Sequence, residues 1–259
     1  FVLIFCLTTF GLAFGGGDSE AASAGGSTIT LPLSGDPGII DPVANWLYDV
    51  QGNMFVPLVD YDYVDGKVIP AGATDWKVSS DGKTWTFDIR MGWEWSNGEP
   101  VTAKDYEYAF QSIVNPETAA PMAWRIFIIE NASAINAGDM AVDTLGVKAI
   151  SEYTLEITLN QPAAWFLVSL TSIGHAVPKE AREKYGLEWT QPENIVVNGP
   201  YKITTWVQDD KIVLTKNPSY YNAAKVDIDE ITLLMVPEAS TAMAMYENDE
   251  LDSVDVPPE

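Results

Sequence analysis

The chain has one imidazole and one thiol, and neither lies in a pattern typical of catalysis. His175 follows Ser172 in the run Ser-Ile-Gly-His, and the thiol is Cys6. A serine hydrolase needs a base beside the nucleophile and a third group that orients the base. No such triad can be read from this pair, so we expect His175 to be structural. A single histidine and a single cysteine also exclude a multi-histidine zinc enzyme and a disulfide framework.

Carboxylates are abundant, but they identify no reaction. The chain has 37 Asp and Glu residues against 14 Lys and Arg residues, a formal net charge of −23. A glycosidase is recognised by two carboxyl groups at a set separation in space, which the sequence does not give. P-loop, dinucleotide, HExxH and G-x-S-x-G motifs do not occur in the sequence, so we expect no cofactor. The negative charge argues against nucleic-acid binding and indicates a solvated acidic surface.

The aromatic residues suggest a second kind of chemistry, stacking against sugars. The chain has 9 Trp and 11 Tyr residues, enough to line a carbohydrate cleft. Many of them, however, recur at the period of a strand or a helix, which favours core packing. With 259 residues, 47% of them hydrophobic, the chain is long enough for one large or two ordinary globular domains.

The clearest local pattern runs from Asp81 to Phe110. It begins with an Asp81-Gly82 turn, where glycine can take positive φ. A strand buried on one face follows, because large apolar residues alternate with polar ones: Trp85, Phe87 and Ile89. Nothing in this half of the stretch resembles a catalytic group, so we interpret it as scaffold.

The second half of the same stretch predicts another strand, another turn and a capped helix. Trp93 and Trp95 continue the alternation, and Asn97-Gly98 indicates a turn. Thr102 with Asp105 resembles a capping box in which Asp replaces Glu. The helix behind it has apolar residues at helical spacing: Tyr106, Ala109, Phe110 and Ile113.

Elsewhere, strands and helices interleave irregularly, which predicts a mixed α/β (α+β) fold. Predicted strands span 28–33, 153–159, 201–207, 212–216 and 228–236, with a hairpin turn at Asp209-Asp210. Predicted helices span 46–55, 121–136 (weakly), 162–170, 178–185 and 237–246. The last of these carries four apolar residues on one face: Ala239, Ala242, Met243 and Tyr246.

Residues 1–14 are almost wholly apolar, too short to span a bilayer, and typical of the apolar region of a secretory signal peptide. Residues 15–27 are rich in Gly, Ser and Ala, which predicts a flexible tether. The chain is therefore expected outside the cytoplasmic membrane, in the periplasm or at the cell surface. Bulky Phe5 before Cys6 argues against a lipid-anchored cysteine, although a lipoprotein stays possible.

Four motifs resemble one family, the periplasmic solute-binding proteins of ABC transporters (extracellular family 5). The run DGKTWTFDIRMGWEWSNGEPVTAKDYEYAF is similar to the signature region of its oligopeptide- and dipeptide-binding members. The runs LGVKAISEYTLEITLNQPAAWF and EKYGLEWTQPENIVVNGPYKITTWVQDDKIVL resemble the oligopeptide branch. The run ENDELDSVDV resembles the segment that precedes the crossing into a second lobe.

The resemblance implies a bilobal fold of the type II periplasmic binding proteins. Residues 28–58 and 190–259 would form the first lobe, and residues 59–189 an extra subdomain of the large members. The second lobe would lie beyond this sequence, so we expect an N-terminal fragment: a first lobe plus subdomain only. One lobe alone is expected to bind ligand weakly, since the family encloses its ligand between two.

The resemblance also implies a function, the capture of oligopeptides for import through the permease of an ABC transporter. The ligand is held mainly through its backbone, as an added strand, and no bond is broken. The protein would then be a monomer and not an enzyme. Two alternatives stay open: another solute in the same fold, such as a dipeptide, a nickel complex or an oligosaccharide, and a secreted hydrolase.

The resemblance assigns candidate ligand contacts. Those of the first lobe would follow the Asp41-Pro42 turn, at Asn45, Trp46 and Leu47. Met122, after Pro121, would line a side-chain pocket, and Val256 would lie near another contact of the first lobe. For each of these residues, ordinary packing is the alternative interpretation.

Overall fold

The structure is a computed structural model and describes residues 26–44 and 48–255. The described residues form a mixed α/β fold with three β-sheets, as the sequence predicts. The strands are β1 (Thr28–Leu33), β2 (Val59–Asp62), β3 (Lys67–Pro70), β4 (Ala73–Val78), β5 (Thr84–Ile89), β6 (Val147–Ser151), β7 (Thr154–Thr158), β8 (Tyr201–Val207), β9 (Lys211–Lys216) and β10 (Glu230–Met235).

The α-helices are α1 (Tyr48–Met54), α2 (Ala103–Val114), α3 (Ala132–Asn136), α4 (Phe166–Ile173), α5 (Lys179–Tyr185) and α6 (Ala239–Glu247). Short 3₁₀ helices span Ala123–Ile126, Val142–Thr144, Gly186–Thr190 and Ala223–Lys225. Within the described part of the chain, no helix is both long and apolar enough to cross a membrane. The predicted signal-peptide region and tether lie outside the described residues, apart from the last two residues of the tether.

One four-stranded sheet has the order β1-β10-β9-β8. Strands β1 and β10 run parallel, with Thr30 opposite Thr232, and the other two pairs are antiparallel. The β8–β9 hairpin turns at Asp209, which has a positive φ of 55°, so the predicted turn is confirmed. Every strand of this sheet comes from residues 28–33 or 201–235.

The second four-stranded sheet is antiparallel, in the order β4-β5-β7-β6. Trp85, Phe87 and Ile89 of β5 are buried, as their alternation predicts. The predicted cap of α2 is also confirmed, because Asp105 Oδ2 accepts a 2.7 Å hydrogen bond from the Thr102 N–H. All strands of this sheet lie within residues 73–158. The two sheets thus draw on separate parts of the sequence, but the predicted boundaries at residues 58 and 190 stay a prediction.

Two predicted elements differ from the structure. Trp93 and Trp95 are fully buried but form no second strand; this segment makes a single bridge, Glu94 to Pro100, because the chain folds back at Gly98 (φ 88°). The helix predicted from Pro162 begins only at Phe166. Pro162 instead packs over the turn at Gly82, where an added Cβ would lie 3.1 Å from the proline ring.

The weak helix predicted over residues 121–136 is also interrupted. The chain forms the 3₁₀ helix Ala123–Ile126 and then α3, with Asn131 between them. Asn131 takes a left-handed conformation, φ 65°, which ends one helical run before the next begins. A weak periodic signal therefore marks two short helices here.

The motif Asn198-Gly199 crosses over the end of α1. The Met54 carbonyl accepts hydrogen bonds from the N–H groups of Asn198 (3.3 Å) and Gly199 (2.7 Å). The Asn198 side-chain oxygen accepts the Val56 N–H at 2.9 Å. A Cβ at Gly199 would lie 2.5 Å from the Met54 carbonyl carbon, so only glycine fits this approach.

Gly199→Ala is therefore expected to destabilise the fold by about 2–3 kcal/mol, because the new methyl group meets backbone that cannot move aside. Gly35→Ala is the matched control, since no atom lies within 4 Å of an added Cβ there. We expect that control to stay within about 0.5 kcal/mol of the parent. Urea unfolding curves measure both values, and equal curves for the two variants would contradict the crossing as described.

Candidate functional site

A ligand is expected at the carboxyl ends of β1 and β10. Leu33 and Met235 are paired at these ends, and both strands lead from there into loops. In α/β sheets, ligands bind outside the carboxyl ends of parallel strands, where connections leave in different directions. The loop after β1, residues 34–44, is therefore a candidate region, and the residues predicted to contact the ligand follow it directly.

Asp36 fixes the first half of this loop. Its Oδ2 accepts hydrogen bonds from the Trp206 indole and the Asp209 N–H, both at 3.1 Å, and its Oδ1 accepts the Gly38 N–H at 2.8 Å. Burial alone would raise the pKa of Asp36, but these hydrogen bonds outweigh it and lower the pKa below its ordinary value. The ionised carboxylate thus ties the loop to the β8–β9 turn.

Asp41 fixes the second half of the loop through a buried ion pair. Its side chain is fully buried, and its Oδ2 lies 2.8 Å from Nε of Arg182 on α5. Its Oδ1 accepts the Val43 N–H at 2.9 Å. The Arg182 Nη1 also lies 3.4 Å from the Tyr108 hydroxyl and from Oγ of Ser112, both on α2. Burial would lower the pKa of Arg182, but Asp41 outweighs this and raises it.

Helix α1 holds the same loop from its other side. The buried Gln51 side chain donates a 3.0 Å hydrogen bond to the Ile40 carbonyl. Residues 40–43 are thus held directly by α1 and α5, and α2 supports the arginine of α5. Asn45, Trp46 and Leu47 lie outside the described residues, so their contact with a ligand stays a prediction.

A second segment lies along the outer edge of β1. Asp252 exchanges two hydrogen bonds with Thr30: its Oδ2 accepts the Thr30 N–H at 2.6 Å, and its N–H donates to the Thr30 carbonyl at 2.9 Å. The neighbouring Leu251 is buried. The next predicted contact, Val256, lies one residue beyond the described range and also stays a prediction. Both described segments that lead into these predicted contacts therefore adjoin β1.

An open depression of about 420 Å³ lies between the end of β10, the β8–β9 turn and α6. Its lining is largely apolar: Asp210, Leu234, Met235, Val236, Pro237, Glu238, Thr241 and Met245. The predicted apolar face of α6 is largely exposed to solvent. Of the four residues on that face, only Ala242 is buried, and Tyr246 is 46% exposed. Met122, the predicted contact residue that lies within the described part of the chain, does not line this depression.

Met122 lies apart from β1, immediately before the 3₁₀ helix Ala123–Ile126. It is partly buried, and its carbonyl accepts the Arg125 N–H at 3.0 Å. The Arg125 guanidinium reaches Oγ of Ser172 on α4 at 3.0 Å, while Trp124 beside it is 60% exposed. The position is accessible from solvent, and its pocket role stays a prediction.

The pair Ser172 and His175 is not arranged as a nucleophile and base. The Ser172 hydroxyl donates to the Ser169 carbonyl at 3.0 Å and accepts from Arg125. Burial of the His175 imidazole lowers its pKa to about 4, so the ring is neutral at pH 7. Within residues 26–44 and 48–255, no group of three or more His, Cys, Asp or Glu side chains could hold a metal ion.

The sequence analysis identified neither Arg182 nor Asp252 as a functional residue. For Arg182, the sequence around Asp41 did indicate that a buried partner must exist. Asp41 stands in the otherwise apolar run Ile-Ile-Asp-Pro-Val. A charge among apolar neighbours usually needs a buried partner. Which of the 14 Lys and Arg residues provides that partner is set by tertiary packing and cannot be read from spacing.

We expect Arg182→Met to destabilise the protein by about 3–5 kcal/mol, because it leaves the Asp41 carboxylate buried without a partner. Lys179→Met on the same helix is the control. The Lys179–Glu183 pair is 3.7 Å long and exposed, and such pairs contribute at most about 0.5 kcal/mol. Chemical denaturation measures the difference, and equal losses in both variants would contradict a special role for the buried pair.

The depressed pKa of His175 predicts a pH dependence of stability. An unfolded histidine titrates near 6.5, so on acidification the unfolded state binds a proton before the folded state does. Stability should be retained above about pH 6.5 and fall between about pH 6.5 and pH 4. We expect His175→Asn to lose about 1–2 kcal/mol less than the parent from about pH 7.5 to pH 5. Parallel losses in the two proteins would refute the burial of a neutral ring.

Comparison with known proteins places this arrangement in a family. The family model described as bacterial extracellular solute-binding proteins, family 5 Middle, matches residues 67–259. The periplasmic oligopeptide-binding protein OppA of Salmonella typhimurium is 40% identical over 79% of this chain and 38% of its own length. A probable deoxycholate-binding periplasmic protein of Escherichia coli, YgiS, is 37% identical over 86% of this chain and 42% of its own length.

The solved structure of Haemophilus influenzae OppA in complex with the peptide RPPGFSPFR superposes with a TM-score of 0.83. Its sequence is 34% identical, and the match covers 88% of this chain and 45% of that one. The chain thus spans about two fifths of the length of the curated relatives named above. Agreement of sequence, family model and fold shows that the chain belongs to the bacterial extracellular solute-binding proteins of family 5.

Proposed function

We propose that the full-length polypeptide captures oligopeptides outside the cytoplasmic membrane and delivers them to the permease of an ABC importer. The observation that carries this proposal is the 40% identity with the Salmonella oligopeptide-binding protein, which extends over most of this chain. The likeness to the peptide-bound Haemophilus structure supports the same ligand class. The polypeptide would act in the periplasm or at the cell surface, as a monomer, and would catalyse no reaction.

Capture of this kind requires a strand edge and an enclosing cleft. A peptide bound as an added strand satisfies its own N–H and C=O groups with protein backbone, which makes affinity insensitive to its side chains. We propose first-lobe contacts at Asn45, Trp46, Leu47 and Val256 on the family resemblance, and the position of the described segments next to them, beside β1, supports this assignment. Water in roomy side-chain pockets then allows many sequences to bind.

The proposed division into parts follows from the same likeness. Residues 28–58 and 190–259 would form the first lobe, and residues 59–189 the extra subdomain with Met122 in its side-chain pocket. The separate origins of the two four-stranded sheets support this division. Met has a flexible, polarisable side chain, which suits a pocket that accepts different residues.

A second candidate is another solute held by the same fold. The relative named as probably deoxycholate-binding is 37% identical to this chain, close to the value for the peptide-binding relative. A steroid acid offers one carboxylate and a rigid apolar body. It would depend on apolar side chains and not on a strand edge.

The test is to incubate the purified full-length polypeptide with a mixed peptide pool, deoxycholate and an oligosaccharide mixture together. Native mass spectrometry then identifies what stays bound. We expect intact peptides of several lengths, because recognition through the backbone does not select side chains. Retention of deoxycholate alone would favour the second candidate.

Cleaved peptides in the same experiment would support a hydrolase. Retention of sugar alone, or of none of the offered solutes, would overturn peptide capture. Polypeptide denatured and refolded without ligand is the control for molecules carried over from expression.

A further inference from the structure

We propose that Arg182 is a positioning residue for ligand binding. Arg182 lies on α5 and binds Asp41. Through Asp41 it holds the loop that leads into the predicted contacts Asn45, Trp46 and Leu47. The proposal rests on the proposed function, and it adds to that function a residue which itself lies outside the predicted contacts. It also assigns the predicted subdomain a role in shaping the first lobe.

The geometry of the pair supports this role. Asp41 and Arg182 are 141 residues apart in sequence, yet Nε and Oδ2 are 2.8 Å apart. The Asp41 side chain is fully buried, and that of Arg182 is only 17% exposed. Asp41 lies four residues before Asn45, so the pair anchors the backbone where it enters the predicted contact segment.

The arginine is itself held in a fixed position, so the anchor is rigid. Its Nη1 reaches Tyr108 and Ser112 on α2, both at 3.4 Å. The segment just before α5 is tied to α2, because the Val177 N–H donates a hydrogen bond to the Asp105 carbonyl at 3.4 Å. A guanidinium offers donors in several fixed directions in one plane, whereas a lysine ammonium is a point charge on a flexible stem.

Loss of this anchor should disturb the loop before it disturbs the sheets. A buried carboxylate without a partner is strongly unfavourable, so residues 40–43 would rearrange until Asp41 reached water. Residues 40–43 would then have to be ordered again when the ligand binds to the contacts that follow them. Binding loses affinity when ordering must occur at that step.

The experiment compares four variants of the full-length polypeptide: Arg182→Met, Arg182→Lys, Asp41→Asn and Ile157→Ala. Ile157 is fully buried in β7, in the other sheet, and its truncation controls for a general loss of stability. Arg182→Lys keeps the positive charge, and it replaces Arg182→Met in the comparison if Arg182→Met does not fold. One readout is hydrogen exchange of residues 40–47. The other is the Kd for an alanine tetrapeptide, measured well below each melting temperature.

We expect Arg182→Met and Asp41→Asn to exchange faster over residues 40–47 and to bind the tetrapeptide on the order of tenfold more weakly. Arg182→Lys should fall between them and the parent, while Ile157→Ala should keep the parental Kd and loop protection. Unchanged loop exchange in the Arg182 and Asp41 variants would overturn the positioning role.

Faster loop exchange with an unchanged Kd would overturn the link to the ligand. The same shift in Kd in Ile157→Ala would reduce the effect to stability alone. A parent polypeptide that binds no peptide at all would instead refute the proposed function, and with it the functional half of this inference. Hydrogen exchange would still decide whether Arg182 orders the loop.

Discussion

The close crossing of Asn198-Gly199 over Met54 is the constraint on which the rest of the structure depends. At this point the chain leaving α1 meets the chain that enters the β8–β9 hairpin. The Met54 carbonyl accepts two N–H groups there, and the Gly199 carbonyl in turn accepts the buried Asn217 amide at 2.8 Å. Because no side chain fits between the two backbones, the crossing fixes their separation at van der Waals contact.

The segment that follows β5 contacts the chain beside this crossing. The Trp93 indole donates to the Asn198 carbonyl at 3.2 Å, and the Ser96 N–H donates to the Val197 carbonyl at 2.8 Å. Trp93 and Ser96 therefore link the segment after β5 to the residues just before β8. The Asp41–Arg182 pair makes another long-range link, between the loop after β1 and α5, through side chains. The backbone hydrogen bonds at the crossing fix how closely the two segments approach. The ion pair holds the loop that leads into the predicted ligand contacts.

Much of the scaffold could be predicted because its signals are local. The alternation of Trp85, Phe87 and Ile89, the Thr102–Asp105 cap and the turn at Asp209 each depend on residues close in sequence. The burial of Trp93 and Trp95 was predicted for a similar reason, although the strand was not formed. Asn97-Gly98 folds the segment back before it can pair along its length.

The candidate site was less predictable because its contacts are distant in sequence. Arg182 and Asp252 contact Asp41 and Thr30 across 141 and 222 residues, and no periodic pattern encodes such pairs. The motif Val-Val-Asn-Gly-Pro-Tyr was recognised through resemblance alone, and its physical reason became visible only in the crossing at Met54. Asn45, Trp46, Leu47 and Val256 were assigned by resemblance and lie outside the described residues, and Asp41 and Asp252 anchor the described segments that precede them.

A crystal structure of the full-length polypeptide with a bound peptide would test the account most directly. We predict an extended peptide whose backbone N–H and C=O groups bond to protein backbone near β1, with Asn45, Trp46, Leu47 and Val256 within contact distance. The Asp41–Arg182 pair should be intact in the loop that precedes Asn45. A ligand held away from these segments, or held mainly by its side chains, would contradict the account.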